Sequence, residues 1–453
     1  MSGIIKKEYI KEFWSANIVE LFERAAYYGM FISLTIYLSS VVGFTDIEAG
    51  WISGIFAAFL YFTPTFSGAW ADIIGFRKAL LLAFTLLFIG YALLGLFHLR
   101  STTIMALAVI MLGGSFVKSI ITATVAKCSD TQNRARAFSI FYQMVNIGAF
   151  LGKSVAKPIR IELGVGSVSL FSSGMCIIAL LIIFLLYRNV DRTGEGKTIK
   201  ETWDAFIDIL KNIRFMTLIL IVGCFWAIQH QLYATMPKYV IRTIGESASP
   251  EWYANVNPLV VVLLVVPITV FSKRFKPAVS IAISLLLISV SSFIMTLSPG
   301  VQSLAHGMID IAGKIKIHPV TFVLILGIAV QALAECFLSP RFLEYASLQA
   351  PRGKTGLYMG FSHINSFFGN ILGFGISGYL LEKWCTDPKK LDSVSFNKWQ
   401  NAITGNGQMP AQYEHSYYIW YVFTAIGLFA FIALLIYNYF TDQIDRSRAE
   451  KNN

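Results

Sequence analysis

The chain has 453 residues, of which 55% are hydrophobic and 14% charged, with a formal net charge of +11 and a mean hydropathy of +0.61. A charged share so far below the usual quarter excludes an ordinary soluble domain, which would have too little polar surface to cover itself. Lipid is the expected solvent for much of the surface, so the fold class read from composition is an all-α membrane protein.

A membrane span needs roughly 20 apolar residues to cross about 30 Å of hydrocarbon, and about twelve segments meet that length. In chain order their cores run over 15–40, 49–71, 79–98, 102–125, 137–161, 167–187, 215–237, 253–272, 278–297, 319–347, 355–381 and 417–440. The first apolar run is too long for a cleavable signal peptide and lacks a small-residue cleavage site, so it reads as a retained span. After the sixth span comes the longest polar cytoplasmic stretch, Arg188 to Arg214. Within it Trp203, Phe206, Ile207 and Leu210 recur at i, i+3, i+4 and i+7, the pattern of a helix lying on a membrane face. The expected organisation is a six-helix bundle over 1–190, a cytoplasmic linker with an amphipathic helix over 191–213, a second six-helix bundle over 214–445 and a tail over 446–453. Two halves of six spans predict pseudo-symmetric bundles with a binding site at the midplane between them. Residues 298–318 and 382–416 are polar outer loops, in which short helices are expected.

Lys and Arg set the orientation. With Met1 in the cytoplasm, 22 of the 37 cations fall on inner segments, 9 on outer ones and 6 inside spans. That bias predicts both termini on the cytoplasmic side of a cell membrane. It also accounts for the positive charge without a nucleic-acid partner. The cysteines, Cys128, Cys176, Cys224, Cys336 and Cys385, form neither a disulfide framework nor a metal-ligand spacing, and only Cys385 lies in an outer loop. No metal or other cofactor is expected. Neither HExxH nor GxSxG occurs, so an enzyme is not the expected reading.

Charges at membrane depth carry the functional information, because each costs several kcal/mol unless it meets a partner or water. The first span holds Glu20, Glu23, Arg24, Tyr27 and Tyr28 on one helical face. Glu23 and Arg24 lie roughly 13–15 Å into the span, too deep for snorkelling. Lys118 in the fourth span has no acid within reach on its own helix. On the fifth span Lys153, Lys157 and Arg160 recur at i, i+4 and i+7, either snorkelling to outer headgroups or forming an electropositive vestibule wall. His230 on the seventh span is either a structural histidine or a titrating one. Glu335 sits near the middle of the tenth span, with Arg341 and Glu344 about two turns further inward.

ELFERAAYYG, Glu20 to Gly29, resembles the ExxER…YYG signature of the proton-dependent oligopeptide transporters, a branch of the major facilitator superfamily. GAWADIIGFRK, Gly68 to Lys78, resembles the superfamily's loop between the second and third spans through Asp72 and Gly75, with Ile73 at a usually basic position. GGSFVKSII places Lys118 at the family's fourth-span lysine, with Ser119 where proline is common. FSIFYQMVNIGAF resembles the fifth-span signature through Asn146 and Gly148, with Gln143 as a polar departure. FWAIQHQ and NPLVVVLLVVP resemble the seventh- and eighth-span patterns and place Trp226, Gln231 and Asn257. ECFLSPRFLEYASLQAP resembles the tenth-span pattern and places Glu335 and Ser339, with Phe342 replacing a usual glycine. The family's eleventh-span tryptophan is replaced by about Ser362, next to His363.

The resemblance implies twelve spans in two six-helix bundles and a proton-coupled symporter importing di- or tripeptides by alternating access. It assigns proton coupling to Glu20, Glu23, Arg24 and Glu335. It assigns substrate binding to Arg24, Tyr28, Tyr61, Lys118, Asn146, Trp226, Gln231, Asn257, Glu335 and Ser339. The expected partners are a peptide-like small molecule, protons and the bilayer, and the expected working unit is a monomer. The extra polarity of Ser362, His363 and Arg341 leaves open a carrier or exporter of another, more anionic solute. A non-transporting membrane protein is the alternative from another class.

Overall fold

The computed structural model describes residues 10–129, 133–188, 199–305, 307–311, 314–348, 361–405 and 407–452. The start of the eleventh predicted span, most of the linker before residue 199 and the cations Lys6, Lys7, Arg192, Lys197, Arg352 and Lys354 lie outside them.

The first half contains α1 (Lys11–Ser40), α2 (Asp46–Phe62), α3 (Pro64–Ile74), α4 (Phe76–Leu96), α5 (Arg100–Lys127), α6 (Arg134–Leu163) and α7 (Ser167–Leu186). The amphipathic linker helix is α8 (Ile199–Leu210). Then follow α9 (Ile213–Gln229), α10 (Gln231–Ala234), α11 (Met236–Ile244), α12 (Pro250–Tyr253), α13 (Val256–Ser272), α14 (Pro277–Thr296) and α15 (Ser298–Ala305). A hairpin of β1 (Ile309–Ile311) and β2 (Ile315–Ile317) precedes α16 (Pro319–Leu348), α17 (Ile364–Trp384), α18 (Ser393–Ile403) and α19 (Tyr418–Asn452).

Among the described residues nine helices are long and apolar enough to cross a membrane, and α2 with α3, bent by 54°, makes a tenth. The bend falls where Pro64 opens α3, since proline cannot donate to the preceding turn. Helices α1 and α6, 30 residues each, have the length to cross but carry the charges that an apolar criterion rejects. Together these helices are consistent with the twelve predicted segments, the eleventh being described only from residue 361. Beside the helices, the loop 298–318, in which short helices were expected, holds α15 and one short hairpin. There Ile-Asp-Ile pairs antiparallel with Ile-Lys-Ile, placing Asp310 opposite Lys316. Period-two alternation with opposite charges across the ladder favours strand over helix.

The chain forms two compact units. One comprises Met1–Phe31 with Phe62–Trp203, the other Ile32–Tyr61 with Asp204–Asn453. The C-terminal part of α1 and all but the last residue of α2 therefore belong to the second unit, although the sequence assigns them to the first bundle.

Glycine sets the packing inside each unit. In the first, Gly148 and Gly152 of α6 lie against α1, where an added Cβ would run into the carbonyl oxygens of Leu21 and Ala25. This small-xxx-small spacing lets two backbones approach where lipid supplies no hydrophobic drive. Gly152→Ala is expected to lower unfolding stability in detergent by about 1–3 kcal/mol through overpacking. Gly174→Ala on α7, where nothing lies within 4 Å, is expected to be neutral in the same thermal scan. In the second unit Gly50 and Gly54 of α2 meet Phe374 and Gly378 of α17 in the same manner.

Two helix starts show how sequence sets helix boundaries. Thr45 and Glu48 form a capping box on α2: the Glu48 N–H donates to Thr45 Oγ1 at 3.1 Å, and the Thr45 N–H donates to Glu48 Oε2 at 2.8 Å. Asp392 caps α18 by accepting from the N–H groups of Val394 and Ser395 at 3.0 and 2.9 Å. Those backbone hydrogen bonds, from Ser395 first, hold its carboxyl below the ordinary carboxylate range. A depressed folded pKa means the cap stabilises above the unfolded value, about 3.9, and that its contribution disappears as pH falls through the lower folded value. Asp392→Ala should therefore fray α18 at neutral pH, with faster amide exchange there, and the difference from the parent should close at strongly acidic pH. Among the described residues all five cysteines are free, and burial pushes the Cys385 thiol up to about 12, leaving it inert.

Candidate functional site

The first unit gathers its charges on α1. Arg24 Nε lies 3.2 Å from Glu20 Oε1, and the guanidinium also pairs with Glu23. Glu20 and Glu23 are buried, at 3% and 2% exposure, and Arg24 is half-buried. Glu20 Oε2 has no hydrogen-bond partner among the described residues. The guanidinium carbon sits 5.3 Å from the Tyr27 ring centre and 5.9 Å from that of Tyr28, within cation–π range. Lys118, half-buried on α5, interacts electrostatically with Glu20, Glu23 and Arg24. The fourth-span lysine thus lies within electrostatic range of the first-span cluster. Asn146 lies on α6 within a turn of the Gly148 contact, and its amide donates to the Tyr142 carbonyl one turn back.

Lys153 differs from both expectations for its stripe. It is 1% exposed, and its ammonium sits 5.8 Å from the Tyr28 ring centre, so it neither snorkels nor lines a wetted wall. The cause is the Gly148/Gly152 contact, which brings this part of α6 against α1.

The second unit centres on Glu335 of α16. Its Oε2 accepts from Gln229 Nε2 at 2.9 Å and Asn257 Nδ2 at 3.2 Å, joining α9, α13 and α16. One turn earlier, Gln331 donates to the carbonyls of Ile228 and Gln229. Those carbonyls lie where α9 ends, before Pro237 opens α11 in the same run of chain. Trp226, His230, Tyr61 and Phe374 form a ring cluster beside the break: His230 lies 5.6 Å from Trp226, 6.4 Å from Tyr61 and 6.5 Å from Phe374. Trp226 Nε1 and Gln229 Oε1 are buried with no hydrogen-bond partner among the described residues. Ser339 is half-buried one turn beyond Glu335.

Gln231 is placed elsewhere. Its amide donates to the carbonyls of Ala227 and Gly373 and accepts from Thr235, so both ends serve the packing of α9 on α17. The residue of FWAIQHQ that reaches Glu335 is Gln229, which sequence reasoning missed. A signal existed, since Gln331 and Glu335 form an i, i+4 polar pair on α16 that calls for polar partners. The polarity expected around Arg341, Ser362 and His363 also resolves differently. Arg341 pairs with Glu344 and donates to the Phe275 carbonyl, Ser362 is 0% exposed, and His363 is exposed at the start of α17. These positions do not form one polar surface.

A second charged centre, also absent from the sequence reading, gathers at the start of α2 in this unit. Asp46 at the start of α2 receives Lys238 Nζ at 2.6 Å and Arg242 at 2.7 and 3.0 Å. Arg242 also reaches Asp387 at 3.3 Å and the Cys385 carbonyl, while Trp399 of α18 donates to the Arg242 carbonyl. Asp46, Lys238 and Arg242 are each under 5% exposed. Lys389 Nζ adds a bond to the Ser40 carbonyl at the end of α1. Asp46 thereby ties α2 to α11, and Arg242 carries the tie on to the segment 385–387 and to α18. Among the described residues no group of His, Cys, Asp and Glu converges as a metal site.

A bundle of long apolar helices, with ionic clusters held at membrane depth and glycine contacts between helices, defines a multi-pass α-helical membrane protein. The sequence model of the Major Facilitator Superfamily matches residues 17–312, and the chain belongs to that superfamily. Among curated proteins, dipeptide and tripeptide permease B of Photorhabdus asymbiotica is 31% identical over 186 residues, covering 40% of this chain and 38% of that protein. Its counterpart from Salmonella typhimurium is 27% identical over 242 residues, 52% and 48% of the two chains. The chain thus spans less than half the length of these permeases. Multidrug resistance protein MdtH of Photorhabdus laumondii is 25% identical over 359 residues, 79% of this chain and 83% of that one. Among solved structures, the POT family transporter PepTSo superposes with a TM-score of 0.71 at 17% identity, covering 96% and 99% of the two chains. A peptide transporter POT in complex with sulfate gives 0.70 at 19% identity, covering 96% and 95%. At these identities the likeness is one of fold.

Proposed function

We propose that this chain is a proton-coupled symporter of the proton-dependent oligopeptide transporter branch, importing di- or tripeptides or similar zwitterionic solutes by alternating access. The observation that carries the reading is Arg24 held between Glu20 and Glu23 at membrane depth, with Lys118 in electrostatic contact. Cations held by acids at that depth form a competition that a proton can decide. Neutralising one carboxylate removes a partner from Arg24, and the carboxylate of a cargo then takes its place. Glu335, with Gln229 and Asn257 as amide donors, supplies a negative site for the cargo's amino group. Trp226 Nε1 and Gln229 Oε1 retain hydrogen-bonding capacity for its backbone. A cavity whose charges are all paired closes at lower cost than one with a buried charge unpaired, which links cargo and proton. The names of the permease relatives and the fold of the POT structures support this branch. In this reading Tyr28, Tyr61, Asn146 and Ser339 line the route, the termini are cytoplasmic and the monomer is sufficient.

The test is a pH-dye assay in proteoliposomes. Di- and tripeptides added outside should acidify the lumen, and competing peptides should suppress labelled uptake. A flat dye trace with every peptide would rule out peptide symport. A second reading, export or exchange of another solute, is favoured by the multidrug resistance relative, which aligns over most of both chains. It predicts proton flux with apolar cations or organic anions in place of peptides.

A further inference from the structure

Between Ile213 and Ile244 the chain runs as three helices, α9, α10 and α11, with the single residues His230 and Thr235 between them. The first interruption begins at His230, whose ψ of −3° departs from the helical value of about −42°. Tyr233, whose N–H would have continued the ladder to the Gln229 carbonyl, donates instead to that of His230 at 3.0 Å. A helix end leaves its last carbonyls without helical donors. Here Ala227, Ile228 and Gln229 are buried, at 0%, 2% and 5% exposure, so their carbonyls need donors from the protein. Each has one. The Trp226 carbonyl accepts from the His230 N–H at 2.9 Å and that of Ala227 from Gln231 Nε2 at 2.6 Å. Gln331 Nε2 of α16 takes the remaining two, Ile228 at 3.2 Å and Gln229 at 3.1 Å. The break is a built end, closed by two glutamine amides.

Gln331 also acts on a neighbour in the site. It holds Gln229 by the main chain, while Glu335, one turn on along α16, accepts from the Gln229 side chain at 2.9 Å. Four residues of helix span about 6 Å, which suits one glutamine gripped at its carbonyl and at its amide together. Two points of attachment fix the rotation of α9 about its axis, which a single bond leaves free. Gln231 is committed to the Ala227 and Gly373 carbonyls. With Nε2 on Glu335, Gln229 Oε1 stands as a buried acceptor next to the carboxylate.

We propose that Gln331 is a positioning residue of the cargo site: it holds the end of α9 so that the Gln229 amide stands against Glu335. The proposal rests on the reading of Glu335 as the site for a cargo's amino group, and two measurements separate the two. The first needs no cargo. It is thermal unfolding of the full chain in detergent, in the parent and in Gln331→Met, which keeps the length of glutamine and removes its donors. The shift caused by Gln229→Ala should be less than about half as large in Gln331→Met as in the parent. The shift caused by Asn257→Ala, which removes the other donor to Glu335, should be undiminished. The second is dipeptide uptake in proteoliposomes. Gln331→Met should raise KM about tenfold and keep Vmax within about twofold, since the lost interaction is one of binding. Gln331→Ser, which leaves room for water at the two carbonyls, gives the same comparisons should Gln331→Met fail to fold. Additive unfolding shifts, or an unchanged KM in a protein that takes up dipeptide, would overturn the assignment. A parent that takes up no dipeptide would instead refute the peptide reading, and the unfolding shifts alone would then decide whether Gln331 positions Gln229.

Discussion

Proteoliposomes carrying Glu23→Gln are expected to lose uphill, proton-driven uptake while keeping downhill exchange of the same solute. A membrane potential of 100 mV supplies about 2.3 kcal/mol per charge. Since 1.36 kcal/mol is a factor of ten, one coupled charge supports roughly fiftyfold accumulation. Without a carboxylate at position 23, that ratio should fall to about one. Glutamine keeps the size of the side chain and can still accept a hydrogen bond from Arg24, and Glu20 still pairs with the guanidinium. The variant should therefore fold and exchange labelled solute across the membrane. Retained accumulation would remove Glu23 from the coupling mechanism. Glu20→Gln and Glu335→Gln in the same assay identify the coupling acid, which is the one whose loss abolishes accumulation and spares exchange.

The second large effect is expected at Asp46. Asp46→Asn leaves Lys238 and Arg242 buried beside an amide, and removing one partner from a buried ion pair costs about 3–5 kcal/mol. Asp387 remains to compensate Arg242 in part. Thermal unfolding in detergent should fall sharply. Because Asp46 stands at the start of α2 and holds it to α11, the α1–α2 turn should also loosen. A cysteine introduced at Ser40 should then react faster with a membrane-impermeant thiol reagent. The double variant Asp46→Asn/Lys238→Met should be less destabilised than the sum of its parts, since it no longer buries that unpaired ammonium. Additive losses would mean that the ion pair is not coupled and that the latch is ordinary packing. Gly50 and Gly378 hold α2 to α17 by backbone contact, so α2 should keep some adhesion to this unit in every variant.

Much of this protein was legible along the chain. Hydropathy runs located the membrane helices, because a helix in lipid must satisfy its own backbone and so needs a fixed apolar length. Charges inside those runs marked Glu20, Glu23, Arg24, Lys118 and Glu335, because placing them there is costly. The linker helix followed from a 3.6-residue period. The Ile-Asp-Ile and Ile-Lys-Ile hairpin was missed, since three-residue strands barely rise above a loop pattern.

What the sequence determined by itself was which residues stand at membrane depth and on which helical face, both properties of a single helix. The tertiary structure alone decided who meets whom. Asp46 finds Lys238 across 192 residues of chain, and Gln229 finds Glu335 across 106. Gln231, two positions from Gln229, is turned instead into the α17 contact. A two-residue step rotates a side chain by about 200° around a helix of 3.6 residues per turn. Local pattern therefore cannot choose between Gln229 and Gln231. The rotation of α9 that makes the choice is set by glycine contacts and by where α9 ends before Pro237.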